Sequence, residues 1–471
     1  MTTTDVEPAV TGPDPIAPAL ARVGLAEHID ALRRTSPKPL DPWPEPRLPV
    51  RPGSWAMELL HRGQPVPSPR GAALLRTLCS ADLARGEGTR LMPGRWQVTA
   101  FRGALVVRDR APSGQLPEVY LGEDGLRFAA SVADARPRGS VLELGCGAGL
   151  ATSVAAQTAA RVVGIDVVPA SLEATALSSR LNGLASRVSA EWCDLRALGD
   201  PGPVDVVMGN LPGVPVAPPL VYATAGDGGA DGFALLRPGL EVIRGALGRR
   251  PASTDAVRLV MRVQSLSTDD QPFVLSLLRS LAEDCRLDLV VTADSRMPIE
   301  LRNGLTARYA EPLNPSSDPA DLLRRIDDHA AALGATSYVS VEVIGRDGTG
   351  RVAFVDATSP VRVTSRLVVT RPTAAGVDQV AAHYLARLGQ LPMAFWEFAG
   401  DEVVSITAAR ARRLWTAFGE GASVREAVDD VFADLAPADR RAVLATTACL
   451  ADALTTAGLA VPRHDSPRAT R

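Results

Sequence analysis

Val141-Leu142-Glu143-Leu144-Gly145-Cys146-Gly147-Ala148-Gly149 is the stretch on which the fold turns. Its apolar first half reads as a short buried strand, and GAGLATSVAAQTAA (147–160) reads as a helix. The glycines therefore sit where a strand gives way to a helix. Glycine allows the sharp turn and lets a ligand approach bare backbone N–H groups at the helix N-terminus. Two nucleotide patterns fail against it. The dinucleotide fingerprint G-x-G-x-x-G needs a glycine at 150, where the chain has Leu150. A P-loop needs Gly-Lys-Ser/Thr, and none follows.

A G-x-G-x-G loop with an acid two residues ahead suits S-adenosylmethionine, whose charged parts are an ammonium and a carboxylate, without a pyrophosphate. Glu143 is then expected to orient the amino-acid moiety. The backbone of Gly145, Cys146, Gly147 and Gly149 is expected to meet the carboxylate. Two further acids stand where such a cofactor needs them. Asp166 ends the next strand, RVVGID (161–166), where a carboxylate accepts both ribose hydroxyls. Asp194 ends RVSAEWCD (187–194) and is placed to accept from the adenine amino group, with Leu195 supplying an N–H. The plainer readings are a helix cap at Asp166 and a turn residue at Asp194. Cys146 is given no redox or nucleophilic role.

The fourth strand, VDVVMGN (204–210), runs into Asn210-Leu211-Pro212-Gly213-Val214-Pro215. Here the chain resembles the class I methyltransferases, in particular the release-factor glutamine N5-methyltransferase and related amino-methyltransferase group, which carries Asn-Pro-Pro-Tyr-Val-Pro at this point. The likeness spans about 140–300, with GDGGADGFALLRPGLEVI (226–243) downstream and a weaker match at YLGEDGL (120–126). It implies a Rossmann-like, doubly wound, mostly parallel α/β sheet, S-adenosylmethionine as methyl donor and transfer to nitrogen. The chemistry behind the motif is specific. A planar nitrogen has its lone pair tied up in conjugation. An Asn210 side-chain carbonyl and the Leu211 backbone carbonyl each accept one N–H, aiming that lone pair at the methyl group, while Pro212 holds the loop. Asn210 thereby belongs to both the cofactor and the catalytic sets. Two departures stand out: Leu211 replaces the family's first proline, and Gly213 its tyrosine, which removes a stacking platform. Trp192, Tyr222 or the N-terminal region are the candidates to replace that aromatic. Glu123 and Asp124 read as caps of a helix over 125–135, with a place near the acceptor as the alternative.

Composition narrows the function classes. At 471 residues, two to four domains of about 100–200 residues are expected. Net charge is −3, and 50 basic side chains, of which only Lys38 is lysine, are scattered among 53 acids. No basic footprint for nucleic acid results. Five separated cysteines without a C-x-x-C, and five scattered histidines, point away from a disulfide framework and a metal site and toward reduced thiols in a cytoplasm. Neither a signal peptide nor an apolar run of about 18 residues is present, so no membrane span is expected. The acceptor is read as a small amino or guanidino metabolite or a peptide. A protein glutamine, a nucleic-acid base, and a non-catalytic cofactor-binding scaffold or regulator are the alternatives.

Along the chain, 1–20 reads as a disordered tail, 21–110 as a small N-terminal α/β cap, and 111–358 as the methyltransferase core. Residues 359–471 read as a mainly helical accessory domain, winged-helix-like, through which copies could pair. Within these, helices are expected over 21–34, 68–85, 169–182, 229–247 and 270–283, and a strand pair over 96–109 with its turn near Gly103. VRLVMRV (257–263) and LDLVVTA (287–293) read as strands. YVSVEVIGRDGTGRVAFVD (338–356) reads as a hairpin turning at 347–350. His329 falls on the solvated face of an amphipathic helix. Helices over 406–418, 424–435 and 437–458 close the chain, with Phe395, Trp396, Phe398, Trp415 and Phe418 as core.

Overall fold

The structure, a computed structural model, describes residues 16–35, 55–68, 72–110, 117–199, 201–247, 256–268, 271–356, 366–369, 408–420, 422–433 and 460–463. Helices α1 (Ile16–Arg22) and α2 (Leu25–Thr35) open it, divided at Gly24, whose φ is +61°. The single helix expected over 21–34 is thus two. Residues 16–20, expected to lack structure, form helix because Ile16 and Leu20 bury there. A π-helical turn (Met57–His61) precedes β1 (Val66–Pro67), α3 (Ala72–Ser80), β2 (Ala84–Glu87) and β3 (Arg90–Pro93). The helix expected over 68–85 ends at Ser80, since Asp82 takes a φ of +50° and the chain enters β2. β4 (Trp96–Phe101) and β5 (Ala104–Asp109) pair antiparallel about Arg102-Gly103, as the sequence predicts.

From here strands and helices alternate. The first are α4 (Glu123–Ala135), β6 (Ser140–Leu144), α5 (Leu150–Ala155), β7 (Arg161–Asp166), α6 (Pro169–Leu181), β8 (Val188–Trp192) and β9 (Val206–Asn210). There follow α7 (Leu236–Leu247), β10 (Val257–Ser267), α8 (Leu275–Cys285), β11 (Leu287–Pro298), α9 (Ile299–Ala310), α10 (Pro319–Ala332), β12 (Ser337–Asp347) and β13 (Val352–Asp356). They build one eight-stranded sheet in the order β13-β11-β12-β10-β9-β6-β7-β8. Pairing is parallel from β8 through β10 and between β11 and β13, while β12 runs antiparallel between β10 and β11. α4, α5, α6 and the N-terminal elements bury one face, and α7 and α8 the other. That is a mostly parallel, doubly wound, Rossmann-like sheet.

Three expectations are corrected. The hairpin over 338–356 does not form: β11 lies between β12 and β13, because Val339, Val341 and Val343 are fully buried and β12 needs a neighbour on each side. Its turn residues are held instead by Asp288, which accepts from the N–H groups of Thr349 (2.8 Å) and Arg351 (3.1 Å). The helix expected from 229 starts at Leu236, since Gly229 and Gly232 adopt φ of +72° and +85° in a tight loop. The helix expected from 270 starts at Leu275.

Toward the C-terminus lie β14 (Arg366–Val369), α11 (Ala408–Gly419), α12 (Val424–Val431) and β15 (Ala460–Arg463), with β14 and β15 paired. Ser423 and Glu426 cap α12 reciprocally, and Phe418 is buried. The third expected helix (437–458) and Phe395, Trp396 and Phe398 lie outside the described residues. No helix among the described residues is long and apolar enough to cross a membrane.

Candidate active site

The ends of β6, β7 and β9 and the segment leading into α4 enclose a cavity of about 220 Å³. Glu143, Gly145, Cys146, Gly147, Asp166, Asp194, Leu195, Asn210, Leu211 and Pro212 all line it. These residues are scattered over 70 positions of sequence and meet because parallel strands all end at the same sheet edge. Gly149 stands apart. It packs α5 against α6, where a Cβ would come within 2.6 Å of Thr175 Cα.

The loop is fixed from behind. Gly145 and Cys146 donate their N–H groups to Ile165 O (2.9 and 3.0 Å), and Gly149 donates to Cys146 O (2.9 Å). Gly147 donates to Asp166 Oδ2 at 2.9 Å. Each of these N–H groups thus has a partner within the fold. What the loop offers is space. A Cβ on Gly147, at φ +53°, would meet nothing within 4 Å, so bare backbone faces the opening.

Glu143 is 2% exposed and accepts a short hydrogen bond from Thr152 Oγ1. Burial pushes its carboxyl up to about 8, opposed by the Thr152 bond and helped by the charge of Asp166, so it holds a proton at neutral pH. Burial likewise raises the Cys146 thiol far above its ordinary range, which leaves it un-ionised and inert. Asp166 combines two roles: Oδ1 accepts from Val168 N (2.9 Å) at the start of α6, and Oδ2 braces Gly147. Asp194 also serves its turn, accepting from Arg196 N at 2.9 Å.

At the other end of the cavity, Asn210 Nδ2 donates to Asp124 Oδ2 at 3.0 Å. The amide NH₂ thus faces Asp124, and the carbonyl is left on the other branch of the side chain. The sequence reading put Glu123 and Asp124 ahead of a helix over 125–135. α4 instead begins at Glu123, which bonds Arg127 Nε (2.7 Å), while Asp124 turns to Asn210. Leu211 is buried and presses on Gly239 of α7, where a Cβ would lie 2.8 Å from its Cδ1.

Gly213 is explained by crowding, since a Cβ there would sit 3.0 Å from Gln264 O of β10. β12 brings Tyr338 against this loop, its hydroxyl donating to Gln264 Oε1 (2.5 Å) and lying 3.3 Å from Gly213 O. Tyr222 stands close by, edge-on to Tyr309 with ring centroids 6.5 Å apart. Trp192 is not the replacement. It is 65% exposed, bonds Val167 O and does not line the cavity. His329 is half-exposed on α10, and its ring Nε2 lies 2.6 Å from Ala230 O. Sequence reasoning did not place Tyr338 beside the Asn210 loop, because no local motif marks it. Tyr120 and Asp124 did carry a signal, because both fall in YLGEDGL.

Residues 141–218 match the methyltransferase domain family, a segment running from β6 past the Asn210 loop. No curated protein matches the chain. Among solved structures the chain is similar to geranyl diphosphate methyltransferase in complex with S-adenosylmethionine (15% identity, 47% of this chain and 84% of that one, TM-score 0.26). It is also similar to the YcgJ protein from Bacillus subtilis (15% identity, 47% and 98%, TM-score 0.28). A third is the M. jannaschii tRNA m1G37 methyltransferase (13% identity, 55% and 57%, TM-score 0.31). With the sheet order, the open glycine loop and the family match together, the chain carries a class I methyltransferase domain that uses S-adenosylmethionine.

Proposed function

We propose that the protein is an N-methyltransferase whose acceptor is a small amino or guanidino metabolite or a peptide. The Asn210–Asp124 hydrogen bond carries this reading. It fixes the one rotamer in which the Asn210 carbonyl is available to accept an N–H beside the cavity. The Leu211 carbonyl is the second acceptor, and Pro212 stiffens the loop between them. S-adenosylmethionine supplies an electrophilic methyl group when bound. The protein's own work is to hold a conjugated nitrogen so that its lone pair faces that methyl, and alignment of this kind lowers a barrier by several kcal/mol, roughly. The wide separation of the five cysteines along the chain fits a cytoplasmic setting.

A glutamine amide in a protein is the second reading, favoured by Asn210 and Pro212 standing where the amino-methyltransferase motif has them. Methyl transfer from radiolabelled S-adenosylmethionine to amines, guanidines and glutamine-containing peptides distinguishes the two. On whichever acceptor is active, Asn210→Ala should lower turnover by on the order of 10²-fold while S-adenosylhomocysteine binds as before. Unchanged turnover would remove Asn210 from the mechanism.

A further inference from the structure

Four of the chain's five tyrosines surround one arginine. Arg302 and Tyr309 lie seven residues apart on one face of α9, Tyr338 opens β12, Tyr222 follows the Asn210 loop, and Tyr120 precedes α4. The Arg302 guanidinium lies 4.3 Å from the Tyr338 ring centroid. Other arginines have acids: buried Arg262 pairs with Asp294, and half-buried Arg127 with Glu123. Arg302 has none among the described residues. Its Nε is buried without a hydrogen-bond partner, and the four phenol rings are among the neighbours facing its charge. Burial opposes that charge, but a guanidinium keeps its proton across the ordinary pH range. Asp124 and Asp227 act on Tyr338 and Tyr222, and Asp124 is engaged by Asn210.

A half-buried cation without a counter-charge favours an anionic partner. The nest adjoins the acceptor end of the cavity, because Tyr120 lines that cavity with Asn210 and Tyr338 reaches Gly213 O. Resting on the assignment of Asn210 as the nitrogen acceptor, we propose that Arg302 and its tyrosines hold a carboxylate of the substrate. The substrate is then a flat amino or guanidino compound with an acid group at the end opposite the methylated nitrogen. The guanidinium fork matches a carboxylate bidentately, and the rings cover the apolar body between.

Benzoate and benzamide, which differ in charge but scarcely in shape, test this by calorimetric titration of the full chain loaded with S-adenosylhomocysteine. Benzoate should bind at least tenfold more tightly than benzamide. Arg302→Gln should erase that preference, and Arg302→Lys should keep part of it, with S-adenosylhomocysteine affinity unchanged in both. Equal binding of the two probes by the parent protein, or no binding of benzoate, overturns the proposal without any variant. Benzoate has no N–H, so Asn210→Ala should leave its binding intact. An Asn210→Ala enzyme of normal turnover would thus count against the nitrogen reading alone, while the benzoate result bears on Arg302.

Discussion

Glu143 shows how much one buried carboxyl determines. Below the ordinary carboxylate range both the folded and the unfolded chain hold its proton. Between that range and about 8 only the folded chain does, so unfolding releases a proton and stability falls as pH rises. Once pH passes the folded value the loss is complete, up to about 5 kcal/mol. Urea midpoints measured from about pH 5 to about pH 9 should therefore decline in the parent, and Glu143→Gln should flatten the decline. Identical slopes would show that the carboxyl is not buried in its neutral form. Glu143, Asp166 and Asp194 were legible in the sequence because each follows from its place on one strand. The Asn210–Asp124 bond was not, since its partners are 86 residues apart and both have ordinary local explanations as turn and cap.

Among the elements, the contact between α6 and the β4–β5 hairpin ties the N-terminal region to the cofactor loop. Asn182 accepts from Leu105 N (2.8 Å) and donates to Leu105 O (2.7 Å), pairing its amide with backbone as a strand would. Beside it, Val107 N donates to Ser178 Oγ, and that hydroxyl donates to Ala148 O in the glycine loop (3.1 and 2.9 Å). Asn182→Ala strands two backbone groups in a covered interface and should cost about 2 kcal/mol. Amide exchange at Leu105 and Val107 should quicken in that variant while β9 stays protected; unchanged protection at both would mean the hairpin is held by apolar contacts alone. The hairpin itself was legible, since Arg102-Gly103 sits between two apolar runs. β12 was misread because turn residues at 347–350 and alternating valines look like a hairpin, whereas the valines' partners are β10 and β11, remote in sequence.

At the scale of the molecule, the strand–helix alternation announced a parallel sheet, but not the order of its strands, which depends on contacts that no local pattern encodes. The N-terminal elements bury their apolar side chains in the same core as α4, α5 and α6. Their place is the α6 side of the sheet. The α9–α10 stretch between β11 and β12 supplies Arg302 and Tyr309 on the acceptor side, so the surplus length beyond the sheet serves two separate ends. The account stands on the cavity at the strand ends being a cofactor site. Calorimetric titration of S-adenosylhomocysteine into the full chain tests it most directly. One molecule should bind per chain, and Asp166→Ala, which releases Gly147 and the start of α6, should weaken that binding at least tenfold. Absence of binding to the parent protein, or equal binding by the variant, would contradict it.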